Sequence, residues 1–446
     1  MALVPALLSG AAAAPGPVTV GMPARDGALP SRDVAGNVLD AEPADAGPVV
    51  DYDAFSGYGD LAFVSLGGLY VLDGTQHKLV QLVPLAGGAS DPQFSPNGEW
   101  LTYSVGDCAA CFYLAHADGS GAHPEPLPAN GNGRVAWLPD SRLLVGDGID
   151  HVSATGGLAV AGQVPSDLVA WSAGWDEFAF ETSDVKTSKD GAFSGKWVLE
   201  LASSLTGERT VWYQSPISFD PGSGRGFQGN QFAGAQLLPG HEGALLSLDP
   251  GNAADNSGGF PLYWLAAPGG QPYSFGRSRQ VTSVSRQGVL AVGAGGNEYA
   301  WMDKYVEICK PSPVRCSTVE VPPGQLSFDP AWSPQGTTLA LVEAKAETAG
   351  DFLQSTVLDW YSTHHLFLLA AGSSWPAEVP ATQGAAAPTW SADGKSILFV
   401  AGNYLWLLRH IGSRPLKVAG PVLAPSDWGA FFGEVNWQSD FAWSEA

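Results

Sequence analysis

Lysine and arginine are scarce in this 446-residue chain, 21 against 44 aspartates and glutamates, for a formal net charge of −23. A nucleic-acid groove or an anionic membrane surface needs concentrated positive charge, so neither is expected as a partner. Charged residues of both signs reach only 15%, so the imbalance reflects missing cations as much as abundant acid, and Ser, Thr, Gln, Asn and Gly must cover the surface. Beyond the first residues no run approaches the ~18 apolar residues of a membrane span, so the mature chain is expected to carry no transmembrane segment. Catalytic signatures are missing too. There is no Gly-x-Ser-x-Gly elbow in a strand-and-helix context, no His-Glu-x-x-His, no phosphate loop with its Lys and no dinucleotide fingerprint. Ser120 and Ser223 sit in Gly-rich loops and read as loop serines.

What the chain has is turn formers and large aromatics: 56 Gly, 34 Pro and 16 Trp. The first two turn the chain often, and the third supplies bulk that a disordered chain lacks. The opening MALVPALLSGAAAAPGP has the apolar stretch and small residues of a secretory leader without its basic start. A leader and a floppy Ala/Pro tail both remain open, and residues 1–50 are expected to be signal-like or disordered. Residues 51–446 are expected to form one domain.

Four cysteines fall as two close pairs, Cys108 with Cys111 and Cys309 with Cys316. The first pair has the spacing of half a zinc site, yet nearly 200 residues separate the two pairs. Two local disulfides are the favoured reading, ahead of free thiols and a redox pair. They would fit an extracellular, cell-surface or periplasmic location.

The deciding feature is a repeat. Asp91-Pro-Gln-Phe94-Ser95-Pro96-Asn97-Gly98 recurs as Asp329-Pro-Ala-Trp332-Ser333-Pro334-Gln335-Gly336 and again as Pro388-Thr-Trp390-Ser391-Ala392-Asp393-Gly394. Fainter copies centre on Trp137, Trp171, Leu237, Val284 and Trp437. The mean spacing is about 49 residues, the period of a propeller blade. Each copy reads as a strand ending in an aromatic, a tight turn in which Pro presets φ and Gly takes a positive one, and an apolar second strand. Third and fourth strands follow, as in Tyr404-Leu-Trp-Leu-Leu-Arg409. Four such strands bury both faces only when stacked radially on neighbours. The unit that starts at Asp60 lacks an inner strand, which the C-terminal segment Gly433 to Trp437 is expected to supply. The fold expected is therefore an all-β propeller of eight four-stranded blades, with seven as the alternative, its ring closed by the C-terminal strand.

These turns resemble those of the TolB-like β-propeller family, whose blades carry a Trp/Phe-Ser-Pro-Asp-Gly turn and are related to the propellers of prolyl-oligopeptidase-type peptidases. The resemblance runs over roughly residues 55–446 and is strongest at the blades of Phe94, Trp332 and Trp390. It implies a fold, and propellers host binding, scaffolding and catalysis alike.

Propeller ligands gather where inner strands begin, so Asp91, Asp167, Asp329 and Asp427 are candidate ligand-binding residues ringing one mouth. Each is also open to a side-chain-to-backbone turn bond. No cofactor is required, though calcium is possible at Asp249, Asn252 and Asp255, whose oxygens suit a hard cation. His364-His365 and His241-Glu242 are weaker candidates, and the remaining histidines, His116 among them, stand alone. The leading expectation is an exported, non-enzymatic binding or scaffold propeller that recognises a protein, peptide or glycan. A polysaccharide lyase or glycosidase working at the central funnel is the second class. A self-associating subunit of a surface assembly is the third.

Overall fold

A computed structural model describes residues 47–444 apart from 107–110, 128–134, 139, 147, 164–167, 172–176, 204–205, 220–227, 230, 239–242, 250–259, 279–282, 296–298, 311–314, 348–353, 423–432 and 434. Eight antiparallel sheets follow one another along the chain and form an eight-bladed propeller. Seven of the repeat anchors lie in inner strands: Phe94 in Ala89–Phe94, Trp137 in Val135–Trp137, Trp171 in Leu168–Trp171, Leu237 in Gln231–Leu237, Val284 in Ser283–Val284, Trp332 in Gln325–Trp332 and Trp390 in Ala385–Trp390. These open blades 2 to 8 in order. The long interval after Trp171 holds no extra blade. It is filled by three 11-residue strands, Glu177–Thr187, Phe193–Ser203 and Arg209–Phe219, which lengthen blade 4.

Blade 1 joins the two ends of the chain. Asp60–Ser65, Gly68–Asp73 and Lys78–Val83 are its outer three strands, and Phe441–Ser444 is its inner one, with Phe441 opposite Phe63 and Ser444 opposite Asp60. The C-terminal strand thus closes the ring, but it lies four residues beyond the expected anchor. Trp437 belongs to a 3-10 turn, Trp437–Ser439, and is buried. The expected register failed for a physical reason: the polar cluster after Trp437 turns the chain into the closing strand instead of out of it. A second clasp was not foreseen. Val49–Val50 pairs with Leu416–Gly420 and adds a fifth strand to the outer edge of blade 8.

The serine turn explains why the repeat is legible. Ser95, Ser333 and Ser391 are buried, and each Oγ accepts a backbone N–H where the next strand begins, that of Trp100 at 2.9 Å, of Thr338 at 3.1 Å and of Ser396, just before its strand, at 2.9 Å. The Gly N–H of each turn donates to the Ser carbonyl, and Gly98, Gly336 and Gly394 all have φ near +70°, where a side chain is strained. Glutamines in the third place of two turns link one blade to the next. Gln287 Nε2 donates to the Gln335 carbonyl, and Gln335 Nε2 donates to the Asp393 carbonyl at 2.7 Å. Between the sheets the anchor indoles do the same, Trp137 to the Gln93 carbonyl and Trp390 to the Ala331 carbonyl. Apolar clusters such as Leu339, Leu341, Trp332 and Ala291 fill the space between neighbouring blades.

Candidate functional site

Every blade but the first turns from its inner to its second strand through a continuous loop. In blade 1 those strands are the two ends of the chain, so the serine turn has no counterpart there. Beside that gap lies a cavity of about 710 Å³ lined by Asp60 and Asp73 of blade 1, Glu99, Trp100, His116 and Asp118 of blade 2, and Val152 and Ala154 of blade 3.

The tight hairpin between Ser65 and Gly68 places Asp60 directly opposite Asp73, a like-charged pair that costs stability. Asp73 is buried and its Oδ1 accepts the backbone N–H groups of Thr75 and Gln76, both at 2.7 Å. Burial, then the charges of Asp73 and Asp118, push the Asp60 carboxyl up to about 6. Asp118 is moved the other way, held below the usual carboxylate range by bonds from Ser120, whose backbone N–H reaches Oδ1 at 2.8 Å. The His116 ring stacks on buried Trp100 with centroids 4.2 Å apart. Among the described residues no lysine or arginine lines the cavity, although the charge of nearby Lys78 reaches Asp118. Such an arrangement attracts cations, and it holds one carboxyl that exchanges a proton near neutrality beside another that stays ionised.

Two of the four mouth aspartates, Asp91 and Asp329, fall within the described residues. Asp167 and Asp427 lie outside the described residues, as do Asn252, Asp255 and the side chain of Asp249. Asp91 and Asp329 occupy equivalent places: each has a positive φ, 53° and 49°, precedes a proline and sits at a bulge in its inner strand. Asp329 Oδ2 accepts the Ala387 N–H of the next blade at 3.1 Å, and burial raises its carboxyl. Asp91 is exposed and accepts from Ser90 Oγ at 3.0 Å. Its acidic neighbour is Asp440, which sequence reasoning did not single out. Burial, and then the Asp91 charge, push Asp440 up to about 7.

Cys309 and Cys316 form the expected disulfide. Cys111 is also disulfide-bonded, while Cys108 lies outside the described residues. His364 precedes the strand His365–Ala370, which His365 opens. His364 is buried among Phe328, Trp360 and Tyr361, and burial lowers it to about 3. His365 Nδ1 lies 3.1 Å from Glu378 Oε1. His241 and Glu242 lie outside the described residues.

The acidic cavity escaped notice because it is assembled from strand ends and turns of three blades. One signal was present: Asp60 and Asp73 flank a short hairpin symmetrically, so their cross-strand pairing could be counted from Ser65 and Gly68.

No family model matches the chain, and no curated protein matches it. Solved structures do. An oligogalacturonate lyase in complex with manganese is 12% identical with a TM-score of 0.42, over 80% of this chain and 94% of that one. A TolB from Acinetobacter baumannii is 10% identical with a TM-score of 0.33, over 81% and 64%. A dipeptidyl peptidase 4 from Porphyromonas gingivalis is 10% identical with a TM-score of 0.38, over 81% and 49%.

Proposed function

We propose that this chain is an extracytoplasmic binding propeller whose acidic cavity takes a cationic segment of a protein or peptide partner. The observation that carries this reading is the convergence of Asp60, Asp73, Glu99 and Asp118 on one cavity with, among the described residues, no lysine or arginine in its lining and His116 as its one basic side chain. A lysine or arginine side chain entering it offsets the burial and the repulsion that together raise Asp60, and leaves its aliphatic stem against Val152 and Ala154. The net charge of −23 steers such a partner from a distance. The disulfide supports a location outside the cytosol, and among the described residues no helix is long and apolar enough to cross a membrane.

Calorimetric titration with a lysine-rich peptide and with the same peptide acetylated on its lysines tests the reading. Binding of the first alone, weakened by salt and reduced at least ~10-fold in an Asp60→Asn, Asp118→Asn double variant, is expected. Equal binding of both peptides, or no effect of the double substitution, would end it.

One observation favours a second reading. Two carboxyls displaced in opposite directions within one cavity are what acid–base glycoside cleavage uses, with Asp60 as the proton donor and Asp118 as the ionised partner. Release of new reducing ends from oligosaccharides, lost in Asp60→Asn, would establish it, whereas intact oligosaccharides leave the binding reading in place.

A further inference from the structure

The outer hairpin of blade 6 carries a second cluster unrelated to the acidic cavity. Cys309 and Cys316 face each other across the strands Tyr305–Lys310 and Arg315–Thr318, with Cα atoms 4.1 Å apart. Glu307 lies two residues before Cys309, hence on the same face of the strand. One ligand atom from each of Glu307, Cys309 and Cys316 falls within 4.8 Å of the other two, the only such trio among the described residues. Cys309 is sealed against Leu262, Trp264 and Phe275 of blade 5, while Glu307 and Cys316 are half-buried and open toward solvent. Among the described residues no ion pair or side-chain hydrogen bond of Glu307 is found, and burial raises its carboxyl.

The geometry points to a redox-gated site for a soft divalent cation such as zinc, closed while the disulfide is intact and formed by Cys309, Cys316 and Glu307 once it is reduced. Two thiolates cannot remain at bonding distance. They relax toward the separation of ~3.8 Å that tetrahedral zinc imposes at a Zn–S distance of about 2.3 Å, which directly paired residues with Cα atoms 4.1 Å apart reach by side-chain rotation. Three protein ligands leave the fourth position to water. The step balances as follows: a phosphine and one water convert the disulfide to two thiols and a phosphine oxide, and binding the cation then releases the two thiol protons. With two thiolates and one carboxylate, the bound zinc centre carries a net charge of −1.

The test uses the full chain with Cys108 and Cys111 both replaced by Ser, so that the other pair contributes no ligand. After phosphine treatment and anaerobic removal of the reductant, Co²⁺ is titrated and then displaced with Zn²⁺. One Co²⁺ per chain with thiolate charge-transfer and intense tetrahedral d–d absorption, displaced by one Zn²⁺, is expected of the reduced chain, and none of the oxidised chain. Cys316→Ser should abolish the signal. Glu307→Gln, which keeps both thiols and serves should Cys316→Ser fail to fold, should retain the charge-transfer band but weaken binding about 10-fold or more. A reduced, folded chain without thiolate-to-cobalt absorption overturns the inference, as does equal binding by the oxidised chain or unchanged affinity in Glu307→Gln.

Discussion

Asp393 and Asp60 lie at the same end of the ring, in neighbouring blades 8 and 1, and their environments are opposite. Asp393 stands in a complete serine turn, and the side chain and backbone N–H of Lys395, with Ser391 Oγ, hold its carboxyl down to about 2. Asp60 stands where the equivalent turn is interrupted by the chain ends, faces Asp73 across the hairpin and is pushed up to about 6. Repetition satisfies polar groups because each turn brings its own donors. The seam loses them, and an acidic cavity remains. A candidate site is thus a consequence of where the ring is closed.

The largest test of this contrast removes the closing strand. Truncation after Asp440 leaves the Asp60–Ser65 strand without its inner partner and is expected to abolish a single cooperative melting transition; an unchanged midpoint would show that closure at blade 1 is dispensable. Next in size, Trp332→Ala in the regular sector should cost about 3–5 kcal/mol by chemical denaturation, because Trp332 is buried between blades 6 and 7. Trp375→Ala, at a residue 56% exposed, should stay within about 0.5 kcal/mol. Equal losses would mean that interblade packing is not what holds the repeats together.

The smallest effects separate the two aspartates by pH. The folded Asp60 has its pKa raised from 3.8 to about 6, so the native state loses stability as pH rises through that window and the loss is complete above it. Asp60→Asn should therefore stabilise the chain by about 1 kcal/mol above pH ~7, after allowance for solvent screening, and by nothing near pH ~4. Asp393 runs the other way. Its contribution is present above 3.8 and fades as pH falls through about 2, so Asp393→Asn should be mildly destabilising at neutrality. Melts across this pH range that show the same sign for both variants would erase the distinction between seam and repeat.

The blades could be read from the sequence because their grammar is local: an aromatic, a serine whose Oγ reaches the next strand, and a glycine with positive φ all fall within six residues. Even Leu237 and Val284, which retain little of the motif, mark true inner strands. The closing strand was displaced from Trp437 to Phe441 because no turn follows it to fix its register. Asp329 was legible as a bonded residue but not as an interblade one, since its partner Ala387 belongs to the next repeat. The acidic cavity was harder still, being built by pairing Asp60 with Ser444 from opposite ends of the chain.

Closure also sets where the ring parts first. Residues 51–59 and 421–440 both run from blade 8 to blade 1, so that boundary is bridged by two stretches of chain, whereas each other boundary between blades is bridged by one. Inside blade 1, between Phe441–Ser444 and Asp60–Ser65, no covalent bridge exists, and strand pairing with the contacts of Trp443 to Phe55 and Tyr58 does the holding. A propeller opens without breaking its backbone only at such a line. Tension or thermal breathing should therefore unzip the molecule through the middle of a blade, beside the acidic cavity, with amide exchange at Ala62 and Val64 reporting the event.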